Sequence, residues 1–127
     1  MARVRQSGTA AELVVAASLR SLGASYRVNV RRLPGSPDFA NRKRKWAVFV
    51  HGCFWHHHAR CKRATVPKSN QKFWREKFTA NRMRDKRAVL ELTRSGYRVA
   101  VIWECEIGDD RLLKKLSQVL EPGGVDV

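Results

Sequence analysis

Cys53, His58 and Cys61 fall within nine consecutive residues, and the only other cysteine, Cys105, lies far downstream in Trp103-Glu104-Cys105. Thiolate and neutral imidazole are the preferred ligands of zinc, and Cys-x4-His-x2-Cys supplies three of the four that a closed tetrahedral site requires. With Cys105 as the fourth, any fold of this chain must return a late segment to the middle of the sequence. The residues inside the motif sharpen the constraint. His56, His57 and His58 cannot all face one core, because successive side chains diverge on a strand or a helix, so at least one is available for chemistry. Three cysteines cannot pair off completely as disulfides, and the start Met1-Ala2-Arg3-Val4-Arg5-Gln6 carries no secretory signal. Both facts point to a reducing cytoplasm and metal-binding thiols. The competing explanation at this point is a set of buried free cysteines beside a solvated histidine run.

A chain of 127 residues fits one domain, 1–127, with a short basic arm over 1–8 and a tail over 121–127. No apolar run approaches the ~20 residues of a membrane helix. The charge is the unusual quantity: 26 Lys and Arg against 11 Asp and Glu give +15. Such a surface concentrates polyanions, and nucleic acid is the polyanion that a small cytoplasmic protein meets most often. Acidic membrane is the rival, but neither a basic amphipathic helix nor a lipidation signal is evident. Arg42-Lys43-Arg44-Lys45 and the set Arg60, Lys62, Arg63 flank the cysteine motif on both sides.

Thr9-Ala10-Ala11-Glu12 has the form of a capping box, and Leu13, Ala16, Ala17 and Leu19 follow at roughly helical spacing before Gly23, predicting a helix over 10–22. Tyr26 to Val30 alternates as a strand, and Leu33-Pro34-Gly35-Ser36-Pro37 reads as a turn that delivers Asp38 into the next extended segment. Trp46 to Val50 is apolar throughout, as suits a strand buried on both faces. A long helix is predicted from about Asn70 to Ser95, with Phe73, Trp74, Phe78, Leu90 and Leu92 as its apolar stripe. Tyr97 to Trp103 reads as another buried strand, and Leu112, Leu113, Leu116, Val119 and Leu120 mark a closing helix. The order predicts a single-domain α/β sandwich with a central mixed sheet flanked by helices.

Acidic residues are scarce, so their settings matter. Asp38 stands at the mouth of a strand, where a carboxylate can bind magnesium beside phosphate; Pro-Asp is equally an ordinary turn dipeptide. Asp85, among Arg82, Arg84, Lys86 and Arg87, is either a helix-surface salt bridge of roughly 0.5 kcal/mol or a carboxylate that orients a catalytic imidazole. Glu12 is adequately explained as the capping-box glutamate.

Leu33-Pro34-Gly35-Ser36-Pro37-Asp38-Phe39, Val48-Phe49-Val50-His51-Gly52-Cys53-Phe54-Trp55-His56-His57-His58 and Val101-Ile102-Trp103-Glu104-Cys105 together resemble the very-short-patch repair (Vsr) DNA mismatch endonucleases, from about Glu12 to Cys105. The resemblance implies a restriction-endonuclease-like fold and a magnesium-dependent nick in duplex DNA. It matches the magnesium ligands to Asp38 and the main-chain carbonyl of Val50, where a family member carries threonine. The catalytic histidine falls on His56 and its paired carboxylate on Asp85. Glu12 and His51 fall where the family holds the waters of the magnesium. The zinc ligands fall on Cys53, His58, Cys61 and Cys105; His57 receives no role. Phe54, Trp55 and Trp74 match aromatics that wedge into the base stack beside a thymine opposite guanine, a step that a mismatch makes easier to open. Core packing is the ordinary fate of such rings, and it is the one expected for Trp46 and Trp103.

Two departures from the family pattern carry expectations. Ala59 and Arg60 separate His58 from Cys61 where a relative has one residue, so the zinc loop must bulge or exchange a ligand. Eleven residues precede Glu12, a shorter arm than that relative has, which bears on strict thymine-guanine selectivity. The expected protein is therefore a cytoplasmic, nucleoid-associated enzyme with catalytic Mg2+ and structural Zn2+. It acts as a monomer on mismatched double-stranded DNA, with mismatch-repair proteins as accessory partners and no membrane. Two other readings stand beside it: a homing, restriction-associated or toxin-like nuclease with another target, and a non-catalytic zinc-stabilised DNA-binding protein.

Overall fold

Every residue of Trp46 to His51 is buried, and the reason is a helical layer on each side of the strand it forms. The computed structural model describes residues 10–120; the arm expected at 1–8, the tail at 121–127 and Thr9 of the capping box lie outside them. Along the chain run α1 (Ala10–Ser21), β1 (Arg27–Val28), β2 (Phe39–Asn41), β3 (Trp46–His51), α2 (Gln71–Arg94), β4 (Arg98–Trp103) and α3 (Asp110–Leu120), with one 3-10 turn at Glu104–Glu106. The sheet order is β1-β2-β3-β4. The first three strands are antiparallel, and β3 and β4 are parallel, so α2 is the crossover that a parallel pair requires.

Side chains alternate across a strand, and that alternation divides the core. Trp46, Val48 and Val50 join Ala100 and Ile102 beneath Val15 and Leu19 of α1 and Leu112, Leu116 and Val119 of α3. Ala47 and Phe49 face the other way, beneath Ala88 and Leu92 of α2. The fold is thus the three-layer α/β sandwich predicted, and burial of each large side chain contributes about 1.5–3 kcal/mol. Among the described residues, no helix is long and apolar enough to cross a membrane.

Three elements differ from expectation in detail. The first strand contracts to two exposed residues, because Asn29 turns to φ 48° and ends the extended run. β4 is covered less fully than expected: Ala100 and Ile102 are buried, whereas Val99 and Val101, on the α2 side, are only partly buried at this edge of the sheet. On α2, Phe73 and Leu90 are 57% and 50% exposed. The inward stripe is instead Trp74, Phe78, Asn81, Asp85, Ala88 and Leu92, spaced alternately four and three residues apart.

Glycine is needed at two places that position the site. Gly96 (φ 88°) ends α2, with the Tyr97 N–H returning to the Leu92 carbonyl at 3.0 Å. At Gly35 (φ 75°) a Cβ would lie 2.5 Å from that of Ala88, so only glycine lets the turn before Asp38 pack under α2.

Candidate active site and metal centre

The parallel register of β3 and β4 builds the thiol cluster. His51 pairs with Trp103 at the strand ends, so Cys53 and Cys105, each two residues further on, leave the sheet at the same level. A tight turn then carries His58 back, its N–H bonding the Cys53 carbonyl at 3.0 Å. His58 Nδ1 lies 3.7 Å from Cys53 Sγ and 3.4 Å from Cys105 Sγ. The ligand atoms of Cys53, His58, Cys61 and Cys105 all stand within 4.8 Å of one another. A zinc ion bonded tetrahedrally to sulfur and nitrogen holds them about 3.6 Å apart, so this donor set fits the metal in both chemistry and spacing. The extra residue before Cys61 is absorbed as a bulge: Arg60 adopts φ 59°, and the Cys61 N–H returns to the His58 carbonyl at 3.3 Å.

The same turn explains three adjacent histidines. With His57 at φ 46°, the rings fan out in three directions. His58 meets the thiols. His57 stacks on Phe78 of α2, with centroids 4.4 Å apart and planes 6° apart, which gives the residue left without a role a packing partner. His56 turns toward the sheet and stacks on His51 at 3.8 Å and 4°.

His51 points to the α2 side because it continues the alternation of Ala47 and Phe49. It is 5% exposed, and burial, reinforced by the His56 ring, lowers its pKa to about 3, so it is a neutral imidazole. Its Nδ1 is buried without a hydrogen-bond partner and lies 4.0 Å from Asp85, too far for a bond. His56 Nδ1 does make that bond, 2.5 Å from Asp85 Oδ2. An ionised carboxylate only accepts, so the bond places a proton on Nδ1 and leaves Nε2 as the working nitrogen. Asp85 lies on the inward stripe of α2 and not on a salt-bridged outer face.

Asp38 approaches from β2. Its Oδ2 accepts the Val50 N–H at 2.6 Å. Its pKa is raised to about 6, first by burial and also by the nearby Glu12 carboxylate, against the lowering effects of the Val50 N–H and of His56. Glu12, in the first turn of α1, thus shares one electrostatic neighbourhood with Asp38 and His56. Two carboxyl groups crowded in a partly desolvated space are what a hard divalent cation relieves, so these residues fit magnesium.

Phe54, Trp55 and Trp74 form one half-buried cluster on Phe78, with Phe54 within 5.6 Å of all three other rings, centroid to centroid. Asn81 Nδ2 donates to the Trp55 carbonyl at 2.8 Å and holds the cluster to α2. Trp46 is 1% exposed and belongs to the core as expected. Trp103 does not. Its ring stacks on His58 at 3.9 Å and 7° and turns its edge to His51 at 5.1 Å, a wall shared by the thiol cluster and the imidazole pair. Sequence reasoning also missed Asn81 and Glu104, which accepts the Cys53 N–H at 3.3 Å and pairs with Arg63 at 3.8 Å. The available signal for Asn81 was its place, three residues after Phe78 and four before Asp85.

A mixed sheet between helices, with an aspartate at the mouth of one strand and an imidazole–carboxylate pair beyond the next, defines a restriction-endonuclease-like protein. A family model described as DNA mismatch endonuclease Vsr matches residues 1–63. The chain is 42% identical over 96% of its length to Type II nicking enzyme V.XorIIP of Xanthomonas oryzae pv. oryzae, covering 90% of that protein. It is 39% identical over 91% of its length to Type II nicking enzyme V.NmeAIP of Neisseria meningitidis, covering 81%. It is 36% identical over 93% of its length to DNA mismatch endonuclease Vsr of Escherichia coli K12, covering 79%. The chain belongs to the Vsr family.

Proposed function

We propose that the protein is a DNA nicking endonuclease whose cleavage depends on magnesium and is directed to one strand at or near a T:G mismatch. Relatives named nicking enzymes and a mismatch endonuclease support the nicking of DNA. The observation that carries the chemistry is the 2.5 Å bond between His56 Nδ1 and Asp85 Oδ2, in one electrostatic neighbourhood with a half-buried carboxylate, Asp38. Asp38 and the Val50 carbonyl are the proposed magnesium ligands; the ion supplies charge to stabilise the transition state at the scissile phosphate. His56 moves a proton at Nε2, and Asp85 fixes its tautomer and steadies its charged form. His51, neutral and buried, and Glu12 orient the water that attacks. Cys53, His58, Cys61 and Cys105 hold zinc, which braces the turn carrying His56 and leaves no open position for substrate. Phe54, Trp55 and Trp74 enter the base stack at a weakened step, at a cost of a few kcal/mol that a mismatch lowers.

Matched duplexes differing in one base pair, incubated with magnesium and scored for nicks by strand, test the reading. Cleavage of one strand of the T:G duplex, in preference to its paired counterpart, is expected. Equal cleavage of both duplexes sinks the mismatch assignment and leaves the nuclease.

The raised pKa of Asp38 makes a second expectation. Between the ordinary 3.8 and about 6 the folded protein keeps a proton that the unfolded chain has lost. This group's contribution to stability therefore falls as pH rises through that window, and ionised Asp38 is a cost above it. Magnesium bound to the ionised form offsets the cost. Millimolar magnesium is expected to raise the melting temperature at neutral pH, the rise fading below about 6 and absent in Asp38→Asn. A magnesium effect that is independent of pH, or survives in that variant, removes Asp38 from the site.

A further inference from the structure

We propose that the open β1 edge of the sheet grips the phosphate backbone of the duplex on one flank of the nick. The inference rests on the reading of the protein as a duplex-DNA endonuclease and adds to it a second binding surface outside the catalytic cluster. A groove of about 760 Å3 runs along β1 and β2, floored by Val28, Val30 and Ala40. Its cations are Arg27, Arg31, Arg32, Arg42 and Lys43, and no acidic residue lines it. All five are exposed, and among the described residues none stands in an ion pair. Five unneutralised positive charges facing one another across a groove repel, and a polyanion removes that repulsion.

The groove is continuous with the catalytic end of the sheet. The Asn29 N–H bonds the Asp38 carbonyl at 2.9 Å, so Arg31 and Arg32 follow directly from the backbone beside Asp38. Arg42 and Lys43 begin the turn at the other end of β2. The four steps from Asp38 through β2 to Arg42 span about 13 Å, the axial rise of about four base pairs. A strand whose scissile phosphate lies at Asp38 can therefore continue along the groove in one direction only. The track is a row of exposed side chains, Arg27 on β1 and the other four on the flanking turns, which suits contact with phosphate and not the reading of sequence.

Binding of a fluorescent duplex is measured against salt, with hydroxyl-radical footprints taken on the zinc-loaded protein without magnesium so that neither reading depends on cleavage. The triple variant Arg31→Gln, Arg42→Gln, Lys43→Gln is expected to lower the slope of log affinity against log salt by about 2.7, at about 0.9 for each phosphate no longer neutralised. Arg32→Gln alone lowers it by about 0.9. The triple variant's footprint shortens on one flank, and Lys114→Gln on α3, outside the groove, leaves slope and footprint as in the wild type. All substituted positions are exposed, and a melting curve matching the wild type verifies folding. An unchanged slope, or protection reduced evenly on both flanks, overturns the proposal. A wild-type protein that binds but never nicks sinks the endonuclease reading while leaving the groove test intact.

Discussion

His56→Ala is expected to slow single-turnover nicking about 10^2–10^4-fold, the usual contribution of a positioned acid–base group, with zinc content and melting temperature preserved. His56 is only half-buried and its ring contributes no thiol-cluster ligand, so its removal leaves the brace of the turn in place. Asp85→Asn acts in the same direction by a different route. The amide can donate as well as accept, so His56 Nδ1 is no longer held as the donor, and the bond at 2.5 Å loses its charge. The signature separating the two variants is rescue by added imidazole, which can stand in for the ring missing from His56→Ala and has nothing to replace in Asp85→Asn. Nicking that persists in His56→Ala within a few-fold, without added imidazole, ends the assignment of this residue. Persistent DNA binding without cleavage in both variants is the expected companion result, since neither residue belongs to the basic groove.

The layered fold was legible because its strands announce themselves by burial. Trp46 to Val50 is apolar at every position, and only a strand covered on both faces tolerates that. α2 was legible in extent and only in part in orientation: Trp74, Phe78 and Leu92 face inward as expected, and Phe73 and Leu90 do not. Its inward stripe contains Asn81 and Asp85, two polar residues at core positions, and a search for apolar periodicity passes over them to reach for exposed Phe73 and Leu90. Those polar positions are where α2 holds the Trp55 carbonyl and His56, so the pattern failed at the site residues themselves. Trp103 was read as core because its strand is apolar. Which neighbour its ring would meet depends on the turn that returns His58, a meeting of residues 45 apart in sequence (103 − 58) that no local pattern encodes. The meeting of Cys53 with Cys105, by contrast, follows from one fact, the parallel register of β3 and β4.

Removal of zinc is expected to have the largest effect on stability. Structural zinc sites bind with an apparent free energy of about 10–16 kcal/mol in small peptides, comparable to the whole 5–15 kcal/mol stability of a typical domain. Here the ion would tie the ends of β3 and β4 to a turn otherwise held by a few backbone bonds. Cys53, fully buried, is the anchor. Burial pushes its thiol up to about 12 in the metal-free cluster, so at neutral pH binding must release its proton, and apparent zinc affinity is expected to rise with pH. One zinc per chain by elemental analysis, stripped more readily by chelator at acid pH, is the expected result. Cys53→Ser should abolish both zinc retention and the cooperative melt. Cys61→Ser should be milder, because Cys61 is only half-buried, where Cys53 is fully buried, and water can reach its place. Nicking should fall with zinc loss even though no thiol touches substrate, since Phe54, Trp55 and His56 ride on the same turn, and returning zinc should restore melt and activity together. A chelated protein that keeps its melting temperature and its nicking rate would falsify the brace.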